Sequence, residues 1–174
     1  ESVDWSVADS VFELVVRWNP DAFTVQGADH SESVTGAWVS PAYFSTPGWE
    51  PALGRIFAPG EYTESGAVVV ISDALWTRLF GRDPAVIGRA IRVQSMESAE
   101  GAGLATVVGI LPPDTWRANW MADVLRPQPA GLPARFPMRA RLQRGMSVEE
   151  AEQRLNALVL PQFGHVDPGY RVSI

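Results

Sequence analysis

The chain has 174 residues, 46% of them apolar, a formal net charge of −6 and no cysteine. This composition indicates a globular protein with a core of its own, and it excludes disulfides, thiol catalysis and Cys-based metal sites. All fourteen cationic residues are Arg, and the densest group, Arg135, Arg139 and Arg141, is expected to form a solvated strand edge rather than a phosphate site. Nucleic acid, which requires clustered cations, is therefore not an expected partner.

The first predicted elements are one helix or strand and then a hairpin. Helical spacing of apolar residues over 2–18 predicts a helix, although its end, ELVVRW, also fits a strand, and Pro20 is expected to stop either one. The segments AFTVQG (22–27) and SVTGAWVS (33–40) are rich in β-formers and predict a hairpin. A turn of helix is expected around Tyr43.

The middle of the chain has the clearest pattern. The apolar run AVVVI predicts a strand covered on both faces, and it leads into the helix DALWTRLF, with Ser72 as its cap and Gly81 as its left-handed end. RAIRVQS and ATVVGIL then predict two antiparallel strands. Residues 53–111 are therefore expected to form a compact β-α-β-β unit.

The last third alternates irregular and regular segments. The Pro-rich stretch 112–137 predicts an ordered crossover with one short strand near Val124. RFPMRARLQ predicts a strand, Ser147 and Glu150 predict the start of an amphipathic helix, and YRVSI predicts a last strand. Strands and helices mixed without strict alternation predict an α+β fold with mixed sheets and packed helices.

No residue pattern in the sequence requires catalysis. His30 and His165 lie in polar loops without a motif partner, and the acidic pairs fit solvated loops or the first turn of a helix. Trp116, Trp120 and Met121 in the crossover form a possible partner contact, although clamping of the crossover onto the sheet is the favoured interpretation.

Six short elements occur in an order that resembles the periplasmic core domain of MacB-like ABC transporter permeases, of the MacB/FtsX type. The similarity covers most of residues 36–158. The elements are SPAYF (40–44), PALGRIF (51–57), VVVISDALWTRLFG (68–81), DPAVIGRAI (83–91), TVVGILPPDTW (106–116) and RLQRGMSVEEAEQRL (141–155).

The resemblance implies two subdomains, with residues 53–111 inserted into a porter-like one made of 1–52 and 112–174. It implies an extracytoplasmic domain of an inner-membrane efflux permease, which transmits conformational change and contacts substrate or envelope partners without catalysis, cofactor or metal. Its implied partners are the transmembrane helices of the same polypeptide, with a second permease copy, an ATPase subunit and a periplasmic adaptor as further candidates. The alternatives are a ligand-binding module with a cleft between the subdomains and, less favoured, an envelope hydrolase.

The motif residues are expected to serve folding. Arg55 is the one motif residue with a polar head, and it is expected to bridge backbone carbonyls between the two lobes. The motif residues are Gly54, Arg55, Phe57, Ser72, Trp76, Phe80, Gly81, Gly88 and Gly109.

Overall fold

The computed structural model describes residues 10–27, 29–45, 49–63, 67–97, 103–113, 122–129, 138–159 and 161. Within them lie eight strands, two α-helices and short 3₁₀ turns, which confirms the predicted α+β class. The strands are β1 (Phe12–Gln26), β2 (Ser31–Val39), β3 (Leu53–Gly54), β4 (Val68–Ser72), β5 (Ala90–Ser95), β6 (Gly103–Leu111), β7 (Val124–Pro127) and β8 (Met138–Leu142). The helices are α1 (Asp73–Phe80) and α2 (Val148–Val159).

Contacts divide the chain into two compact units, residues 17–137 and residues 1–16 with 138–174. The boundaries differ from those of the predicted subdomains, because residues 17–52 and 112–137 fall in the same unit as 53–111. Strand pairing gives the reason: β7 joins β2 to β4, so the hairpin and the β-α-β-β segment share one sheet.

Six strands of the larger unit close into a barrel. The order of pairing is β2-β7-β4-β6-β5-β1, and β1 pairs with β2 again to complete the ring. β2 with β7 and β4 with β6 are parallel, whereas the other four pairs are antiparallel. β3 adds two residues to the edge of β6 beyond the end of the β5 pairing.

One hydrophobic cluster combines inward-facing barrel residues with one face of α1. Along β5 the residues alternate, so Ile91 and Val93 are buried while Arg92 and Gln94 are exposed, as predicted. The run of β4 is buried on both faces, as its unbroken apolar sequence predicted. α1 contributes Leu75, Trp76 and Leu79 to the same cluster.

α1 begins and ends where the sequence predicts. The Ser72 hydroxyl accepts a hydrogen bond from the Leu75 amide at 2.9 Å, and Gly81 ends the helix with φ of 57°. The Trp76 indole donates to the carbonyl of Asp83 at 2.9 Å, which ties the helix to the following turn.

The predicted N-terminal helix is wrong within the described residues, and the alternative, a strand, is correct. β1 runs without interruption through Pro20 and pairs with β2 from Trp18 opposite Val39 to Gln26 opposite Ser31. The Ser40 amide donates to the Arg17 carbonyl, so hydrogen-bonded pairs of β1 and β2 recur at every second residue from Arg17. Pro20, opposite Ala37, falls between two such pairs, where no amide has to donate to β2. The strand therefore tolerates the proline.

The smaller unit pairs β8 with the first residues of β1 and adds α2. Its core contains Val11, Phe12, Ala151 and Leu155. The Ser147 hydroxyl accepts a bond from the Glu150 amide at 3.1 Å, so the predicted start of the helix is correct. The predicted strand YRVSI lies outside the described residues.

Candidate functional site

A cavity of about 400 Å³ opens on the larger unit beside the N-terminus of α1. Leu125 lines it, and Leu125 alternates along β7 with the core residues Val124 and Arg126, so the cavity lies on the outer face of the barrel. The walls are mostly apolar, with three charged side chains among them. The lining residues are Thr35, Tyr43, Trp49, Ser72, Asp73, Ala74, Arg78, Leu111, Pro112, Pro113, Ala122, Asp123 and Leu125.

An aromatic cluster beside the cavity, the aromatic wall, consists of Tyr43, Phe44, Trp49 and Phe57, of which Tyr43 and Trp49 line the cavity. Its rings contact one another at centroid distances of 4.9 Å (Tyr43–Trp49), 5.9 Å (Phe44–Trp49) and 5.6 Å (Phe44–Phe57). Tyr43 and Phe57 are buried, whereas Trp49 is half-buried and faces the cavity. Rings that brace one another in this way keep their orientation without a ligand.

The ion triad, Glu32, Arg78 and Asp123, joins three elements at the cavity. The Arg78 guanidinium donates to Glu32 at 2.7 and 3.0 Å and to Asp123 at 2.8 Å, and these carboxylates raise its pKa above the usual value. Asp123 also accepts the Ser72 hydroxyl at 2.5 Å. β2, α1 and the residue preceding β7 are therefore linked through one guanidinium.

The charge at the cavity is negative by one. Beside the ion triad, Asp73 pairs with Arg82 at 2.8 Å, so three carboxylates face two guanidinium groups. The carboxylates are the more shielded groups, with Asp73 and Asp123 side chains 14% and 20% exposed against 43% for Arg78.

A second polar group, the polar cluster, lies on the inward face of the barrel strands and consists of Asp21, Trp38, Ser95 and Arg126. Asp21 accepts the Trp38 indole N–H at 2.9 Å and the Ser95 hydroxyl at 2.6 Å. The Arg126 guanidinium lies 4.9 Å from the Trp38 ring centre. Burial lowers the pKa of Arg126 to about 10, against the opposing effect of the Asp21 charge.

The predicted motif residues lie in structural positions. Gly54 has φ of 77°, and a Cβ on Gly109 would collide with the carbonyl oxygen of Arg55, so β3 and β6 approach too closely for a side chain. Phe57 belongs to the aromatic wall. Ser72, Trp76, Phe80 and Gly81 form or end α1, and Gly88 occupies a turn with φ of 82°.

Arg55 does not bridge backbone carbonyls between lobes in its described contacts. Its guanidinium donates to both carboxylate oxygens of Glu61, at 2.6 and 2.8 Å, and to the carbonyl of the adjacent Ile56. The bidentate fit is local because Glu61, which also accepts the Ala58 amide, lies in the turn just after β3. This pairing lowers the pKa of Glu61.

The candidate contact residues Trp116, Trp120 and Met121 lie outside the described residues, as does His165. His30 is exposed at the turn between β1 and β2. In the described part of the chain no three His, Cys, Asp or Glu side chains are grouped as a metal site would require. None of its helices has the length and apolar character of a membrane span.

The sequence interpretation missed the cavity and the polar cluster. Asp21 carried a local signal, since it precedes Phe23 and Val25 at the spacing of an inward strand face. Arg126 carried the same signal beside Val124. The ion triad carried none, because its members are separated by long stretches of sequence.

The model of the MacB-like periplasmic core domain matches residues 2–158. The chain belongs to this family. The resemblance seen in the sequence is confirmed: this MacB-like domain is a periplasmic domain of an ABC-type transporter permease. No curated protein sequence matches it.

Three solved structures share the fold of the MacB-like domain. The extracellular domain of the noncanonic ABC-type transporter YknZ from Gram-positive bacteria is 16% identical with a TM-score of 0.64, covering 89% of this chain and 82% of its own. The periplasmic region of MacB from Actinobacillus actinomycetemcomitans is 13% identical with a TM-score of 0.66, covering 91% and 75%. A domain of a putative permease protein from Porphyromonas gingivalis is 18% identical with a TM-score of 0.57, covering 90% and 70%.

Proposed function

We propose that the MacB-like domain acts mechanically: it carries conformational change from the membrane part of its permease to substrate or envelope partners, and performs no chemistry of its own. The observation that carries this proposal is the ion triad. One guanidinium, that of Arg78, holds β2, α1 and the entry to β7 of the closed barrel together. A body braced in this way transmits displacement rather than absorbing it.

The wider setting is part of the proposal. The predicted subdomains, with 53–111 as an insertion, are proposed as the units that partners contact. The proposed partners are the transmembrane helices of the same polypeptide, a second permease copy, an ATPase subunit and a periplasmic adaptor. The gene that encodes the domain is expected to encode membrane-spanning helices on either side of it, and a gene without them would refute the proposal.

Distance measurements in the assembled permease test the mechanical role. The domain contains no cysteine, so spin labels can be placed at Arg92→Cys on β5 and Thr77→Cys on α1, both exposed positions of the larger unit. We expect the distance between these two labels to stay constant when ATP binds. The distance between Arg92→Cys labels on two permease copies is expected to change.

Two results would contradict the mechanical role. A constant distance between copies would mean that the domain does not move with the ATPase cycle. A change in the distance within one domain would mean that the domain deforms instead of moving as a body. Arg78→Met, which removes the ion triad, is expected to broaden the distance distribution within the domain. Arg89→Met, the loss of another exposed cation of the larger unit, serves as the control.

The absence of chemistry is tested separately. We expect His30→Ala and Glu97→Gln, which change an exposed imidazole and an exposed carboxylate, to leave the ATP-driven distance change and the efflux phenotype intact. Loss of efflux with an unaltered distance change in either variant would favour the hydrolase alternative.

A second candidate function, ligand binding, is favoured by the cavity itself. Its volume of about 400 Å³ and its mostly apolar walls with a few polar groups fit the general character of ligand pockets. The cavity lies within the larger unit, whereas the ligand-binding alternative drawn from the sequence expected a cleft between the subdomains.

A further inference from the structure

The half-buried Trp49 lines the cavity and carries a hydrogen-bond donor, its indole N–H. Its ring is braced by Tyr43 and Phe44, yet its indole N–H has no acceptor among the described residues. A Trp that combines a fixed apolar face with a free N–H suits a ligand that offers both an apolar ring and a carbonyl oxygen. Proline in an extended segment offers both, since polyproline II backbone makes no internal hydrogen bonds.

Another part of the lining suits the same ligand. Leu111, Pro112 and Pro113 give it an apolar surface without long mobile side chains. Grooves lined by aromatic residues bind proline-rich segments because such segments are already extended and lose little conformational entropy on binding. The lining thus offers such a segment apolar contacts and one hydrogen-bond donor.

The charge at the cavity favours a cationic group in a ligand. The ion triad and the Asp73–Arg82 pair together carry one excess negative charge, and the chain as a whole carries −6. An anionic group placed here would be repelled, whereas one Arg or Lys would balance the local charge.

We propose that the cavity holds a short, extended, proline-containing segment of a partner protein with an Arg or Lys next to the proline. The proline packs on Trp49, the indole N–H donates to a peptide carbonyl, and the cation lies by the carboxylates of Asp73 and Asp123. The proposal rests on the partner-contacting role proposed above and gives the partner a defined chemistry.

Titration of the 174-residue chain with synthetic peptides tests the proposal. The probes are capped nonapeptides built from Ala, Pro and Arg, with the Arg before or after the prolines, and matched peptides with Ala for Pro or Glu for Arg. The indole signals in ¹H–¹⁵N spectra report binding, and the signal that disappears in Trp49→Phe is that of Trp49. We expect at least one Pro-Arg peptide to shift it with a Kd of ~1 mM or tighter.

Variants separate the two parts of the recognition. Trp49→Phe keeps an aromatic ring and removes the N–H, and it should weaken binding about tenfold. Because this variant lacks the indole signal, its binding is followed through the backbone amide signals of Ser72 and Ala74, which line the cavity. Glu32→Gln removes one charge from the ion triad without changing the cavity lining, and it should weaken the Arg peptides several-fold more than the Ala-for-Arg controls. Glu97→Gln removes the same formal charge at a position outside the cavity and should change nothing.

Three outcomes would overturn the proposal. The first is no shift of the Trp49 signal with any Pro-Arg peptide at several millimolar. The second is equal binding of the Ala-for-Pro or Glu-for-Arg peptides. The third is a shift with benzyltrimethylammonium but with no peptide, which would assign the cavity to a small cation. Because these titrations need no permease, their failure is distinguishable from failure of the distance measurements, which test the mechanical role alone.

Discussion

Removal of the Asp21 carboxylate should destabilise the barrel more than removal of any surface carboxylate. Asp21 is 8% exposed and is the acceptor for the Trp38 indole and the Ser95 hydroxyl. Asp21→Ala leaves both donors without this acceptor, at a cost of about 1–3 kcal/mol for each. It also removes the negative charge that favours the protonated form of Arg126, which is 1% exposed. We therefore expect a total loss of about 3–5 kcal/mol.

Equilibrium unfolding in urea measures this loss as a change in the free energy of unfolding. Asp21→Asn keeps an acceptor and should lose less than Asp21→Ala. Glu97→Ala, an exposed control, should change the free energy by no more than about 0.5 kcal/mol. If the charge of Arg126 is part of the cost, Asp21→Ala should be milder by about 1–2 kcal/mol in an Arg126→Met background.

Two results would refute the reasoning. A loss below about 1 kcal/mol for Asp21→Ala would mean that water or other side chains satisfy the two donors. Strict additivity of Asp21→Ala and Arg126→Met would mean that the carboxylate does not interact with the guanidinium, and the cost would then come from the hydrogen bonds alone.

Three further predictions concern single positions. Ser72→Ala should lower the free energy of unfolding in urea by about 1–2 kcal/mol, because it removes the cap of α1 and a hydrogen bond to Asp123. Thr77→Ala, which removes an exposed hydroxyl from the same helix, is the control, and an equal loss in both variants would contradict the prediction. Gly109→Ala should cost at least about 2 kcal/mol, because the new Cβ collides with the backbone of Arg55, the residue after β3. An unchanged melting temperature would contradict this. Burial and the Glu61 charge raise the pKa of Tyr62 to about 12. The stability that the neutral Tyr62 hydroxyl contributes is therefore complete below pH ~10, the pKa in the unfolded chain, and is lost as the pH rises through about 12. Ultraviolet absorbance of tyrosinate should show a transition near pH 12 that Tyr62→Phe removes, and its persistence in that variant would assign it elsewhere.

The sequence predicted the local elements of the larger unit well. The Ser72 cap, the left-handed Gly81 and the alternation of β5 are each determined by near neighbours, so pattern alone suffices. The start of β1 was harder to predict, because its apolar residues fit both the period of a helix and that of a strand. Pro20 also suggested that the strand would end there. Only the ladder with β2 decides that Pro20 can be accommodated.

The closure of the barrel and the cavity could not be predicted from pattern. β7 is four residues long and pairs with β2 and β4, whose partners no local signal specifies. The cavity needs Trp49, Asp73 and Pro113 to meet, and that depends on this pairing. Asp21 and Arg126 could have been flagged as charges on inward strand faces, but not as members of one cluster.

Closure of the barrel also determines how the domain folds. β2 pairs with β7 through residues as distant in sequence as Gly36 and Val124, so the ring remains open until most of the larger unit has been synthesised. Pairings of such long sequence separation are slow to form, because the loop entropy is lost before the contacts are gained. We expect folding on a millisecond-to-second timescale, and fragments that end before β7 are expected to expose the unpaired edges of β2 and β4 to aggregation. A four-residue strand near the end of the larger unit thus decides when that unit becomes soluble and protease-resistant.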